Sequence, residues 1–311
     1  MIPITTQLLT KTENNSLRNI LKSISDNQCV FIIGPRGMGK SLMVQAAYQC
    51  VCASSEYDGY YFDIEKIGPG QLYERIAEKV APNSTFYGYI ADFLNDNFYK
   101  NTVLFFDKFR VLKDLDFYYR FMNDCMKIHN EGKAYPGSGK SKIVMVFNSS
   151  ILYAAQPNIP TLWDHANKIE IKPLDKNSIK EIVINAFAIE EVAIENEKVL
   201  LEIYELSSGH RFLSRCLTYF YINQGPVQVA KQVDIKMFID HIWHILHHPD
   251  DKKLDIDDEL CKHFKFIIQL VESSAELIIS LIKIIYEKKL PKASIIPFYD
   301  KLTISGILKK N

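Results

Sequence analysis

Two hydrophobic rhythms run through this chain. Continuous apolar runs at 29–33, 59–64, 101–107 and 142–148 are rich in β-branched and aromatic residues and predict buried strands, and an alternating stretch at 168–172 predicts a last, edge strand. Between them, apolar residues recur at three and four. Leu17, Ile20, Leu21 and Ile24 form one such stripe, followed by stretches opening near Ser41, Gln71, Phe86 and Asp114. The polar residues 1–15 show no period and are expected over the surface. After about Leu174 the strand rhythm stops, and helices are expected near 178–186, 199–206, 210–221, 233–246, 258–272 and 275–287. Strands alternating with helices and then helices alone predict an α/β domain with a parallel sheet, over 1–174, and an α-helical remainder.

The first apolar run, Cys29 to Ile33, leads into Gly34-Pro35-Arg36-Gly37-Met38-Gly39-Lys40-Ser41-Leu42, and the helical stretch begins there. Strand, G-x-x-x-x-G-K-S loop and helix together spell a phosphate-binding loop. Backbone N–H groups at a helix N-terminus attract anions, and glycines let the main chain wrap phosphate where a Cβ would collide. The residues from Gly34 to Leu42 are therefore the candidate nucleotide-binding set. Lys40 is placed to bring an ammonium to the β- and γ-phosphates, and the Ser41 hydroxyl to ligate Mg²⁺.

Asp107 closes the third strand where a second Mg²⁺-holding carboxylate is expected. Asn148 closes the fourth, where it reads either as a polar sensor of the γ-phosphate or as a residue opening a turn. Gly137-Ser138-Gly139-Lys140-Ser141 imitates a second phosphate loop. However, Ala134 stands where the first glycine is needed and Tyr135-Pro136 replace the strand, so it reads as a loop.

The 311 residues carry 37 basic and 37 acidic side chains, so no overall field argues for nucleic acid. The six cysteines are scattered without metal-ligand spacing and read as reduced core residues of a cytoplasmic protein. No leader or membrane span is apparent; the most apolar late stretch, 275–286, is too short and carries Glu276 and Lys283.

The series Met38 to Met43, Tyr61 to Gly68, Phe106-Asp107, Ile169 to Leu174, Ser208-Gly209-His210 and Leu302 to Ile307 resembles the AAA-like domain of STAND signalling ATPases, over nearly the whole chain. The resemblance implies a RecA-like sheet of the additional-strand type, a helical lid over 175–240 and a winged-helix-like module over 241–311. It also implies ATP and ADP with Mg²⁺ as ligands that toggle a switch, and a protein sensor, effector or second copy as partner. In the family such modules accompany this domain; here the chain ends just after the winged helix.

Three departures qualify the resemblance. Lys108 stands where the family places the glutamate that orients the attacking water, so turnover is expected to be slow or lost and a cation is expected beside Mg²⁺. Asp63 and Glu65 are poor substitutes because their strand is expected at the far side of the sheet. Arg211 follows Gly209-His210 where the family has proline, and reads either as a γ-phosphate sensor or as a helix-packing arginine. Asn167-Lys168 replaces a frequent arginine.

Other clusters are weaker. His241, His244, His247 and His248 share helical faces, but an amphipathic helix with Ile242, Trp243 and Leu246 inward is the better account than a metal site. Phe117 to Phe121 reads as a packed helix face rather than a base-stacking platform. The lysine-rich end of the chain leaves a DNA-associated AAA-type ATPase as the alternative reading, and a P-loop kinase is disfavoured for want of an acceptor pocket.

Overall fold

The computed structural model describes residues 9–86, 88–97, 101–109, 115–131, 141–148, 165–192, 197–223, 235–248, 250, 254 and 256–272. The described residues group into two units, the first drawn from 9–34 and 39–171 and the second from 35–38 and 172–272.

The first unit begins with α1 (Lys11–Ser25), which starts earlier than its apolar stripe suggests. Thr10 and Glu13 form a capping box: the Thr10 hydroxyl accepts from the Glu13 N–H, and the Glu13 carboxylate accepts from the Thr10 N–H at 2.9 Å. This local exchange satisfies two backbone donors without any apolar period, so residues 11–15 belong to a helix and not to a surface coil.

Then follow β1 (Val30–Gly34), α2 (Lys40–Cys52), β2 (Tyr57–Asp63), the short α3 (Ile64–Ile67), α4 (Leu72–Val80), α5 (Ile90–Asn97), β3 (Asn101–Phe109), α6 (Leu115–Glu131), β4 (Ser141–Asn148) and β5 (Asn167–Glu170). The five strands pair in the order β2-β3-β4-β1-β5, every pair parallel. All of β1 is buried, as its uninterrupted apolar run requires when both faces are covered.

Alternation sorts side chains to the two faces. Phe106 lies 5.0 Å from the Phe121 ring of α6, whereas its neighbour Phe105 lies 5.7 Å from Tyr48 of α2, so helices cover both sides. Tyr73 of α4 meets both Phe117 and Phe121, which makes the aromatic stretch of α6 a packed face. Five cysteines are buried or half-buried, and all six are free. Cys52 is exposed at the end of α2 and is no core residue.

The second unit contains α7 (Lys176–Ile189), α8 (Lys198–Ser207), α9 (Arg211–Asn223), α10 (Ile235–His247) and α11 (Asp257–Glu272), packed around Ile179, Val183, Phe187, Ile203, Leu217 and Ile245. Asp175 caps α7 by accepting from the Ser178 N–H at 2.8 Å. The expected helix at 275–287, the lysine-rich end and the second glycine-lysine loop up to Lys140 lie outside the described residues.

The turn between α8 and α9 is sterically set. Ser208 and Gly209 both take positive φ, and the Gly209 carbonyl accepts from the Leu174 N–H at 2.9 Å. A Cβ on Gly209 would overlap the Leu174 carbonyl oxygen and lie 3.1 Å from the Leu174 nitrogen. Gly209→Ala is therefore expected to cost roughly 2–4 kcal/mol, the sum of left-handed strain and backbone overlap, read by urea unfolding of the full chain.

Candidate functional site

β1 ends at Gly34, and the chain turns through Gly37 (φ +83°) and Gly39 (φ +89°) before α2 starts at Lys40. Only glycine adopts such angles freely, and Gly39 occupies the N-cap position itself. Consequently α2 has no side-chain cap and no acidic residue in its first turn. A thirteen-residue helix with no side-chain cap at its start, following a glycine-built turn, is a complement for a phosphate group.

Lys40 lies 7% exposed and donates from Nζ to the Gly34 carbonyl at 2.7 Å, so its ammonium is folded back over the loop. Gly34 itself is tightly packed: a Cβ would stand 3.0 Å from the Ile171 carbonyl oxygen. Met38 is buried, whereas Pro35, Arg36 and Leu42 are half-buried.

Across the sheet, Asp107 is fully buried and meets Ser41. The Ser41 hydroxyl donates to Asp107 Oδ1 at 3.1 Å, and the Lys108 N–H donates to the same oxygen at 2.8 Å. Oδ2 accepts from the Tyr61 hydroxyl at 2.6 Å, and the Gln45 amide lies 3.4 Å from that hydroxyl. Burial raises the Asp107 pKa above the ordinary carboxylate value, and the donors Tyr61, Ser41 and Lys108 N–H pull against that rise. Burial and the Asp107 charge together raise the Tyr61 pKa, so its proton stays on the phenol as donor.

Tyr61 opens the 61–68 part of the motif series, but the apolar pattern of its strand does not mark its hydroxyl as a partner for Asp107. Tyr61→Phe leaves one buried carboxylate oxygen without its donor. In magnesium-free buffer it is expected to destabilise the chain by roughly 1–3 kcal/mol in urea unfolding.

Lys108 differs from its expected role. β3 shifts register against β4 between Phe106 and Phe109, and Lys108 takes φ +59° in that irregularity. The bulge swings its side chain to β2, where Nζ meets Asp63 Oδ2 at 2.7 Å. Burial disfavours the ammonium, but the bond to Asp63 and the charges of Asp63, Asp107 and Glu65 outweigh it and hold the pKa above that of an ordinary lysine. The expected free cation beside Mg²⁺ is thus an ion pair.

The expected remoteness of Asp63 also needs correction. β2 is an edge strand, yet it lies directly beside β3, and Asp63 pairs in register with Asp107. Glu65 falls in α3, on the exposed side.

Asn148 pairs in register with Gly34 across β1 and β4, which puts its backbone at the level of the loop. In the second unit Arg211 is the first residue of α9 and is half-buried. Asn167 is exposed, and its amide donates to the Ser23 hydroxyl at 2.7 Å.

The histidines of α10 do not converge. His241 bonds buried Asp257 at 2.8 Å, His247 stacks on Trp243 at 4.1 Å, and among the described residues no group of three or more His, Cys, Asp or Glu could hold a metal ion. Ile242 is buried as expected, but Trp243 is 66% exposed and faces outward. Among the described residues no helix is long and apolar enough to cross a membrane.

No family model matches the chain, and no relative among curated proteins matches it by sequence. Solved structures do. The ORC2 protein of Aeropyrum pernix, determined as ADPNP–ADP complexes, superposes with a TM-score of 0.56 at 12% identity, spanning 100% of this chain and 84% of that one. The Walker-type ATPase of Pyrococcus abyssi superposes at 0.54 with 14% identity, over 94% and 88% of the two chains. The Thermotoga maritima RuvB Holliday junction branch migration motor gives 0.50 at 14% identity, over 98% and 86%. These are P-loop ATPases of the AAA+ type, and the five-stranded parallel sheet with its flanking helices has their P-loop NTPase fold.

Proposed function

We propose that this chain is a nucleotide-operated switch of the STAND signalling type, binding ATP and ADP with Mg²⁺ and hydrolysing ATP slowly. The observation that carries the binding half is the uncapped start of α2 behind Gly37 and Gly39, with Lys40 over the loop and Ser41 joined to Asp107. A triphosphate fits this set: main-chain N–H groups and one ammonium meet its charge, and Gly37 and Gly39 supply the positive φ angles that curve the loop. Bound Mg²⁺ would neutralise phosphate charge, and the Ser41 hydroxyl and the Asp107 carboxylate are the oxygen ligands of the kind it takes.

The slow half rests on Lys108. No carboxylate follows Asp107 to accept a proton from water, and the side chain there is an ammonium engaged by Asp63. Asn148 and Arg211 are assigned the sensing of the γ-phosphate in this reading. The division into a nucleotide core over 1–174, a lid over 175–240 and a winged-helix-like module over 241–311 belongs to the same reading, with a protein sensor, effector or second copy receiving the signal. A ligand shifts such a switch only by its differential affinity for the two states, so ATP and ADP must bind one conformation unequally.

The test is direct. Titrating the full chain with ATP and with ADP in the presence of Mg²⁺, alongside release of inorganic phosphate, is expected to give saturable binding of both and little phosphate. Absence of binding removes the proposal, and brisk phosphate release removes the role given to Lys108.

A further inference from the structure

The crown of the phosphate loop, Pro35–Met38, groups with the second unit, and the contacts responsible are specific. The His210 ring lies with Nε2 2.9 Å from the Arg36 carbonyl oxygen, while its Nδ1 faces the Leu213 N–H at 3.3 Å. A carbonyl can only accept and a backbone N–H can only donate, so this network assigns one tautomer: Nε2 carries the proton and Nδ1 is the acceptor. One residue on, the Phe212 N–H donates to the Gly37 carbonyl at 3.0 Å. The approach is so close that a Cβ on Gly37 would stand 2.7 Å from His210 Cε1 and 2.8 Å from Phe212 Cβ.

Two consecutive loop carbonyls, those of Arg36 and Gly37, are thus tied to the first turn of α9. In a trans peptide the N–H of the next residue points opposite to the carbonyl. Fixing the Arg36 and Gly37 carbonyls toward α9 therefore turns the Gly37 and Met38 N–H groups the other way, and consecutive N–H groups turned to one side make an anion nest.

The α9 turn is itself braced. The His210 N–H is bonded to the Ser207 carbonyl at 2.9 Å. The Ser214 hydroxyl, fully buried, bonds Ser207 Oγ at 2.8 Å and the His210 carbonyl at 3.0 Å. Behind it stands His263 of α11, 4% exposed, with its ring 4.7 Å from Phe212 and 5.4 Å from His210. Burial above all, with the neighbouring His210 ring and Arg36 guanidinium adding, pushes its pKa down to about 3, so it packs as a neutral ring near neutral pH.

We propose that His210 is a positioning residue of the phosphate loop, and that the contacts of His210 and Phe212 with the His263 ring link occupancy of the loop to the packing of α11. The link works both ways. If α11 packing favours the phosphate-competent loop, phosphate binding must stabilise α11 packing by the same factor. This rests on the nucleotide reading above and adds to it the path by which the bound state leaves the loop.

The experiment pairs ADP titration with amide hydrogen exchange on the full native chain. Saturating ADP with Mg²⁺ is expected to slow exchange across 257–272. His210→Phe, which keeps the ring volume but lacks the donor, is expected to weaken ADP by roughly three- to tenfold, and His210→Gln, which returns an N–H near the same place, to restore affinity to within about twofold of native. His263→Leu is expected to abolish the ADP-induced slowing in α11 and to weaken ADP by the factor that slowing represents. A native chain that binds ADP with unchanged exchange over 257–272, or a His210→Phe chain with native affinity, overturns the inference alone. A native chain that binds neither ATP nor ADP overturns the nucleotide reading and this inference with it. The exchange measurement on the native chain requires no variant to fold.

Discussion

Lys40→Ala is expected to weaken ATP and ADP roughly ten- to hundredfold, measured by calorimetric titration of the full chain with Mg²⁺ present. The ammonium is held 2.7 Å from the Gly34 carbonyl and lies 7% exposed, so it is ordered over the loop and poorly hydrated before any phosphate arrives. Charge-assisted hydrogen bonds from such a group contribute roughly 1.5–3 kcal/mol, which sets the size of the loss. Alanine is a good helix former at the first position of α2, so the fold is expected to survive, which circular dichroism checks. Unaltered affinity for both nucleotides would show that the loop does not grip phosphate.

The second large effect concerns turnover. Lys108→Glu restores a carboxylate after Asp107, but the structure adds a condition. The side chain at 108 leans toward Asp63, whose Oδ1 is buried without a hydrogen-bond partner, so a glutamate there would face Asp63 as a like charge. One of the two carboxyls would then hold a proton and be lost as a base. Lys108→Glu combined with Asp63→Asn removes the repulsion and offers an amide donor to the new carboxylate. The double variant is expected to release phosphate roughly 10²–10⁴ times faster than the native chain, the usual contribution of a positioned general base, and the single variant to gain less. A double variant that binds ATP as the native chain does yet shows no gain would mean that the lysine is not what limits hydrolysis.

The strands, their parallel pairing and the meeting of Ser41 with Asp107 were legible from the chain. A buried parallel strand needs an uninterrupted apolar run, and such runs at 29–33, 101–107 and 142–148 have few other uses. The loop was legible because phosphate binding by main chain demands glycines at fixed intervals. Capping at Thr10 and Glu13 was missed because it is written in polar residues, where the apolar period is silent. Trp243 was assigned inward on hydrophobicity alone, although one helix face cannot bury every large side chain it carries.

The sequence by itself determined the class of fold and the glycine-built loop at the start of α2, because both depend on which residue types follow one another within a few positions. What only the tertiary structure decided was the company those residues keep. Tyr61 reaches Asp107 from another strand, Lys108 is turned by a bulge onto Asp63, and His210 holds a carbonyl lying 174 positions earlier in the chain. Hydrogen bonds and ion pairs between distant segments depend on strand order, register and local backbone angles, and no periodicity along a single chain encodes those.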